Sequence, residues 1–107
     1  MPWPELEEDL RAPVVAYLRE QGFTVRHEVW INGRIADLFA FRGRDTVAVE
    51  LKLSDWREAT VQAMAYQLGA LYSYVALPLD VIPTVTRQAG QLKRQGIGLL
   101  AVEAPGG

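Results

Sequence analysis

The 107-residue sequence predicts a single α/β domain, residues 1–107, built on a mixed sheet with helices on both faces. Three observations carry this. Two tight-turn signals, Asn32-Gly33 and Gly43-Arg44, separate segments rich in β-branched and aromatic residues, giving three antiparallel strands in succession. Two later apolar runs, 73–77 and 97–102, each follow a helical pattern, and strand–helix–strand units place their strands in parallel. Half of the residues are apolar and 22% are charged, enough to bury a core at this length.

The first helix is expected from Pro4, with proline in the first turn and Glu5, Glu7 and Glu8 near the positive end of the helix dipole. Leu6, Leu10, Val14, Tyr17 and Leu18 recur at helical spacing; Pro13 kinks this helix or divides it in two, and Gly22 stops it. Strands follow at 23–31, 34–41 and 45–53. Ser54 or Asp55 caps a helix over 56–71, whose core stripe reads Val61, Met64 or Ala65, Leu68 and Leu71. A short strand at 73–77 ends at Pro78, a helix at 83–94 ends at Gly96, and 97–102 is the last strand.

Composition removes several function classes. The absence of cysteine excludes disulfides, thiolate metal sites and cysteine nucleophiles, and is compatible with a reducing, cytoplasmic setting. The single histidine, His27, excludes a multi-histidine zinc site within one chain; beside Glu28 on a strand it reads as structural rather than as a proton shuttle. No apolar run approaches the ~20 residues of a membrane span, and the first residues lack the basic start and apolar stretch of a secretory signal. The net charge of −2 does not advertise a nucleic-acid binder. The acids crowd the N-terminus, however, and Arg34, Arg42, Arg44, Arg57 and Arg87 are candidates for phosphate contacts. Trp3, Trp30 and Trp56 read as packing or interface residues.

The most informative residues are Asp37, in an otherwise apolar strand, and Glu50-Leu51-Lys52 in the next. Glu50 and Lys52 are two apart and point to one face. A two-residue Gly43-Arg44 loop, or a symmetric four-residue loop, places Asp37 directly opposite Glu50, with Cβ atoms about 5 Å apart; a three-residue loop would separate them. Ala36, Leu38, Ala40, Val47, Val49, Leu51 and Leu53 then form an apolar layer on the other face. Two facing carboxylates must share a proton, bind a cation or lean on Lys52. Oxygen ligands on rigid strands suit Mg2+ or Mn2+. A purely structural Asp37–Lys52 pair is the alternative.

With a following helix that carries Gln62-Ala-Met-Ala-Tyr66, these residues resemble the PD-(D/E)xK nuclease superfamily, in its branch with a Q-xxx-Y helix. The resemblance implies a restriction-endonuclease-like αβββαβ core, here with an added C-terminal helix and strand. It implies a Mg2+-dependent nuclease that hydrolyses phosphodiester bonds, of DNA, in repair or recombination. Asp37, Glu50 and the Leu51 carbonyl would hold the metal and Lys52 would serve the attacking water. Gln62 would reach the metal water or a phosphate, and Tyr66 would stack on or hydrogen-bond to nucleic acid, with Arg34 and Arg57 on the phosphates. Members usually add an acid from the first helix; Glu5, Glu7, Glu8 and Asp9 compete for that place, and Glu8 is the expected ligand. Alanine replaces the proline that usually precedes the aspartate. Two other functions compete: a nuclease-fold module that binds nucleic acid or a protein without cutting, and a subunit that works only as a homodimer or in a larger complex.

Overall fold

A computed structural model describes residues 3–88 and 90–105. A 3-10 turn (Glu7–Leu10) leads into α1 (Arg11–Glu20), followed by β1 (Thr24–Ile31), β2 (Arg34–Arg42), β3 (Asp45–Leu51), α2 (Trp56–Tyr66) and β4 (Tyr72–Pro78). A second 3-10 turn (Leu79–Val81), α3 (Ile82–Gln88), α4 (Gly90–Arg94) and β5 (Ile97–Val102) complete the order. The strands lie side by side as β1-β2-β3-β4-β5; the first three are antiparallel, and β3, β4 and β5 are parallel. The protein is thus α/β, with a five-stranded mixed sheet between helices. The alternation of β3 sorts the layers. Val47, Val49 and Leu51 pack with Val14, Val15 and Leu18 of α1, while Ala48 packs with Tyr66 of α2.

Both hairpin turns follow from their residues. Asn32 and Gly33 both have positive φ (52° and 79°), as a type I′ turn requires. Gly43 supplies the single positive φ (58°) of the second turn, at the position where type II′ needs it. The resulting register pairs Arg42 with Asp45 and runs unshifted to Leu38 opposite Val49.

The departures have local causes. The first helical turn begins at Glu7, not at Pro4, because the Asp9 carboxylate accepts the N–H groups of Glu5 and Leu6 (2.9 and 3.0 Å) and closes those residues into a turn of their own. Pro13 lies in the first turn of α1, where a missing N–H costs nothing, so the chain divides before it rather than kinking at it. β3 ends at Leu51 instead of 53. Of the expected stripe of α2, Met64 packs against the core, whereas Val61, Leu68 and Leu71 are exposed. The buried face is Trp56, Ala59, Thr60, Ala63 and Tyr66, whose small residues let the helix lie close to the sheet. The helix stops at Tyr66, not 71, where the chain turns and passes so near Ile31 that a Cβ on Gly69 would sit 2.6 Å from its Cγ2. Asp55 is the cap, accepting the Glu58 N–H at 3.2 Å. The helix expected at 83–94 is seen as α3 and α4; Ala89 between them lies outside the described residues.

Gly98 is required by packing. It stands opposite Tyr74 in the β4–β5 ladder, and a Cβ there would run into Tyr74 Cε1, at the edge of the ring. Gly98→Ala is expected to cost about 1–3 kcal/mol, the usual penalty of overpacking, read as a lower urea midpoint with an unchanged m-value.

Candidate active site

The β2–β3 ladder ends at Leu38–Val49, and the site begins there. The next position on β2 is Asp37, whose Oδ2 accepts the Leu51 N–H at 2.8 Å. A side-chain carboxylate thus serves a backbone donor at the edge of the ladder. The Lys52 N–H turns instead to the Ala76 carbonyl of β4, at 3.0 Å.

Glu50 points to the α2 side and is only 6% exposed. The Tyr66 hydroxyl, wholly buried one helix away, lies 2.8 Å from Glu50 Oε1 and 2.8 Å from the Ile35 carbonyl. One phenolic proton cannot serve both acceptors. If Glu50 is protonated, it donates to Tyr66, which donates to Ile35; if Glu50 is ionised, Tyr66 turns to it and the Ile35 carbonyl loses its partner. Burial pushes the Glu50 carboxyl up to about 7; the Tyr66 hydrogen bond opposes this, while the charge of Asp37 and a hydrogen bond shared with it add to the rise. Burial and the contact with Glu50 likewise raise Tyr66 above its ordinary value.

Lys52 guards the outer side. Its Nζ donates to Glu58 Oε1 at 3.0 Å and lies 3.9 Å from Glu7 Oε2. Burial pulls the Lys52 pKa down, but the Glu58 hydrogen bond and the charges of Glu7, Glu58 and Glu50 outweigh it, so the ammonium is held above its ordinary value. On α2, one turn before Tyr66, Gln62 Oε1 is buried and accepts no hydrogen bond among the described residues. A buried acceptor left unpaired costs about 1–3 kcal/mol, so a donor or cation there would be favoured.

Asp37, Glu50, Lys52 and Tyr66 are therefore brought together, with Gln62 on the same helix as Tyr66. Other expected residues are not. Glu8 receives Arg11 Nε on both oxygens (3.0 and 2.9 Å), and the first-turn acid near Lys52 is Glu7. Tyr66 is fully enclosed and serves Glu50, so it offers no face for stacking on nucleic acid. Arg57 lies over the Trp56 ring (4.5 Å to its centre) and bonds Gln88, whereas Arg34 is exposed on β2. Ala36, expected in the layer with Leu38, packs instead with Tyr66. Two residues were missed. Glu58 carries a signal, since a carboxylate in the first turn of the helix after Glu50-Leu51-Lys52 can reach back to that lysine. Arg11 carries only its i,i+3 spacing from Glu8.

Among the described residues, no three His, Cys, Asp or Glu side chains form a ready-made metal cage. The carboxylates brought together are Asp37 and Glu50; the Leu51 carbonyl follows Glu50 in the chain, and the unpaired Gln62 oxygen lies one turn from Tyr66 on α2. An all-oxygen set with two carboxylates fits Mg2+ or Mn2+, which keep several waters. The larger clefts lie elsewhere: one of about 470 Å³ is lined by Tyr17, Phe23, Arg42, Tyr74 and Leu100 among others. Among the described residues, no helix is long and apolar enough to cross a membrane.

No family model matches the chain, and neither a curated protein nor a solved structure matches it.

Proposed function

We propose that this protein is a metal-dependent nuclease with a restriction-endonuclease-like fold, acting on DNA. The observation that carries the reading is the burial of Glu50 against Asp37 where the ladder opens, with the unpaired Gln62 oxygen one turn from Tyr66 on α2. Buried paired carboxylates are costly in a structural role and useful in a cation site.

Asp37, Glu50, the Leu51 carbonyl and Gln62 would hold the divalent cation, Mg2+ or Mn2+. When bound, such an ion lowers the pKa of water and neutralises charge on a phosphate. The chain's own residues do the rest. Leu51 N–H fixes the Asp37 carboxylate. Tyr66 fixes Glu50 and stabilises its ionised form. Lys52 stays protonated and offers its ammonium to charge developing on the phosphoryl oxygens, once it exchanges the Glu58 carboxylate for the phosphate. Arg34, exposed at the β1–β2 turn, would contact a backbone phosphate.

The test is incubation of the purified protein with plasmid and single-stranded DNA in Mn2+ or Mg2+, then with chelator. Cleavage that chelator stops is expected; intact substrates under every condition would overturn the reading. A second reading, a nuclease-fold module that binds nucleic acid or a protein partner without cutting, is favoured by the two acids that occupy Lys52. Retarded but uncut DNA in the same samples would select it.

A further inference from the structure

We infer that Arg11 is a positioning residue that clamps the main chain of Asp37, and that the left-handed backbone at Glu28 exists to admit it. Asp37's role toward a cation rests on the proposed function; the clamp itself does not.

The β1–β2 ladder has one gap. His27 pairs with Leu38 and Val29 with Ala36, so the register is unshifted, yet Glu28 and Asp37 between them do not pair. Glu28 there has φ +54°, a conformation rare for a residue with a side chain, in the middle of a strand. Both strands change face at this point. Val25, Leu38 and Ala40 pack on the α1 side, whereas Val29, Ile31 and Ala36 pack with Tyr66.

The Arg11 side chain, only 15% exposed, lies at the gap. Its Nη1 donates to the Asp37 carbonyl at 3.0 Å and lies 3.0 Å from His27 Nδ1. Nη2 is 3.9 Å from Glu28 Oε1, and Nε is held by Glu8. Asp37 is thus fixed twice: its carbonyl from α1, and its carboxylate by the Leu51 N–H of β3. The guanidinium fork matches this set of acceptors, and a lysine point charge does not.

The test reads the Leu51 amide by hydrogen exchange in metal-free protein, with the Lys52 amide, bonded to Ala76, as internal control. Arg11→Ala should lower Leu51 protection about tenfold while Lys52 changes less than twofold, and should weaken Mn2+ binding about tenfold, as loss of a supporting contact does. Arg11→Lys should recover little of either. Glu28→Gly and Glu28→Val remove the same carboxylate and differ in tolerance of positive φ, so the glycine variant should keep Leu51 protection and the valine variant should lose it. Unchanged Leu51 protection in folded Arg11→Ala overturns the inference. If that variant does not fold, equal protection in the two Glu28 variants overturns it. A wild type that binds no Mn2+, with Leu51 still responding to Arg11, keeps the clamp and removes the nuclease reading.

Discussion

Lys52→Ala is expected to lower Mn2+-dependent cleavage about a hundredfold to a thousandfold, the usual loss when one donor to a developing anion is removed. The ion pairs themselves contribute under about 1 kcal/mol, because Glu58 and Glu7 are 57% and 49% exposed. The Lys52 side chain is only 15% exposed, so losing its apolar stem adds a packing cost of about 1–2 kcal/mol. Mn2+ binding should hold or tighten, since the variant removes a positive charge beside two carboxylates. This combination separates the roles. A structural Asp37–Lys52 pair predicts lost stability with no specific loss of rate. The contacts already speak against that pair, because Lys52 turns to Glu58 and Glu7 while Asp37 turns to Leu51 N–H. Cleavage within threefold of wild type, measured at saturating Mn2+, would remove Lys52 from the mechanism.

What could be read from the sequence was what short-range chemistry controls. Asn32-Gly33 and Gly43 dictate their turns through positive φ, the turns dictate register, and the β2–β3 register runs as expected up to Leu38–Val49, one step short of Asp37 and Glu50. The α2 face was misread because Val61, Leu68 and Leu71 are larger and more apolar than Ala59, Thr60 and Ala63, which are buried. Close approach of helix to sheet selects small side chains, and a search for large apolar ones passes over that signal. Arg11, Glu28 and Tyr66 share another obstacle. Arg11 acts across 26 residues on Asp37, and Tyr66 across 16 on Glu50. The left-handed backbone of Glu28 has no local signal, since glutamate itself disfavours it.

Glu50→Gln should flatten the pH dependence of stability in metal-free protein. The folded-state pKa of Glu50 is pushed up to about 7 from an ordinary 4.5, chiefly by burial. Between those values the folded chain holds a proton that the unfolded chain has released. This contribution is therefore complete below about 4.5 and is lost as pH rises through 7, amounting to roughly 3 kcal/mol. Other carboxylates act on both proteins alike, so the difference between wild type and variant isolates the term. The variant should become relatively more stable from pH 5 to 8, because glutamine still accepts from Tyr66 without burying a charge. Mn2+ should reverse the ranking above pH 7, stabilising wild type, whose carboxylate it binds, and leaving the variant almost unmoved. Tyr66→Phe should act in the opposite sense on the carboxylate itself. Loss of the hydrogen bond that favours the ionised form moves the midpoint above 7 and weakens Mn2+ binding at neutral pH. Thermal unfolding at half-unit pH steps, with and without Mn2+, measures all three proteins. Parallel curves for wild type and Glu50→Gln would mean that Glu50 titrates as an ordinary exposed acid, and the cation site would lose its central residue.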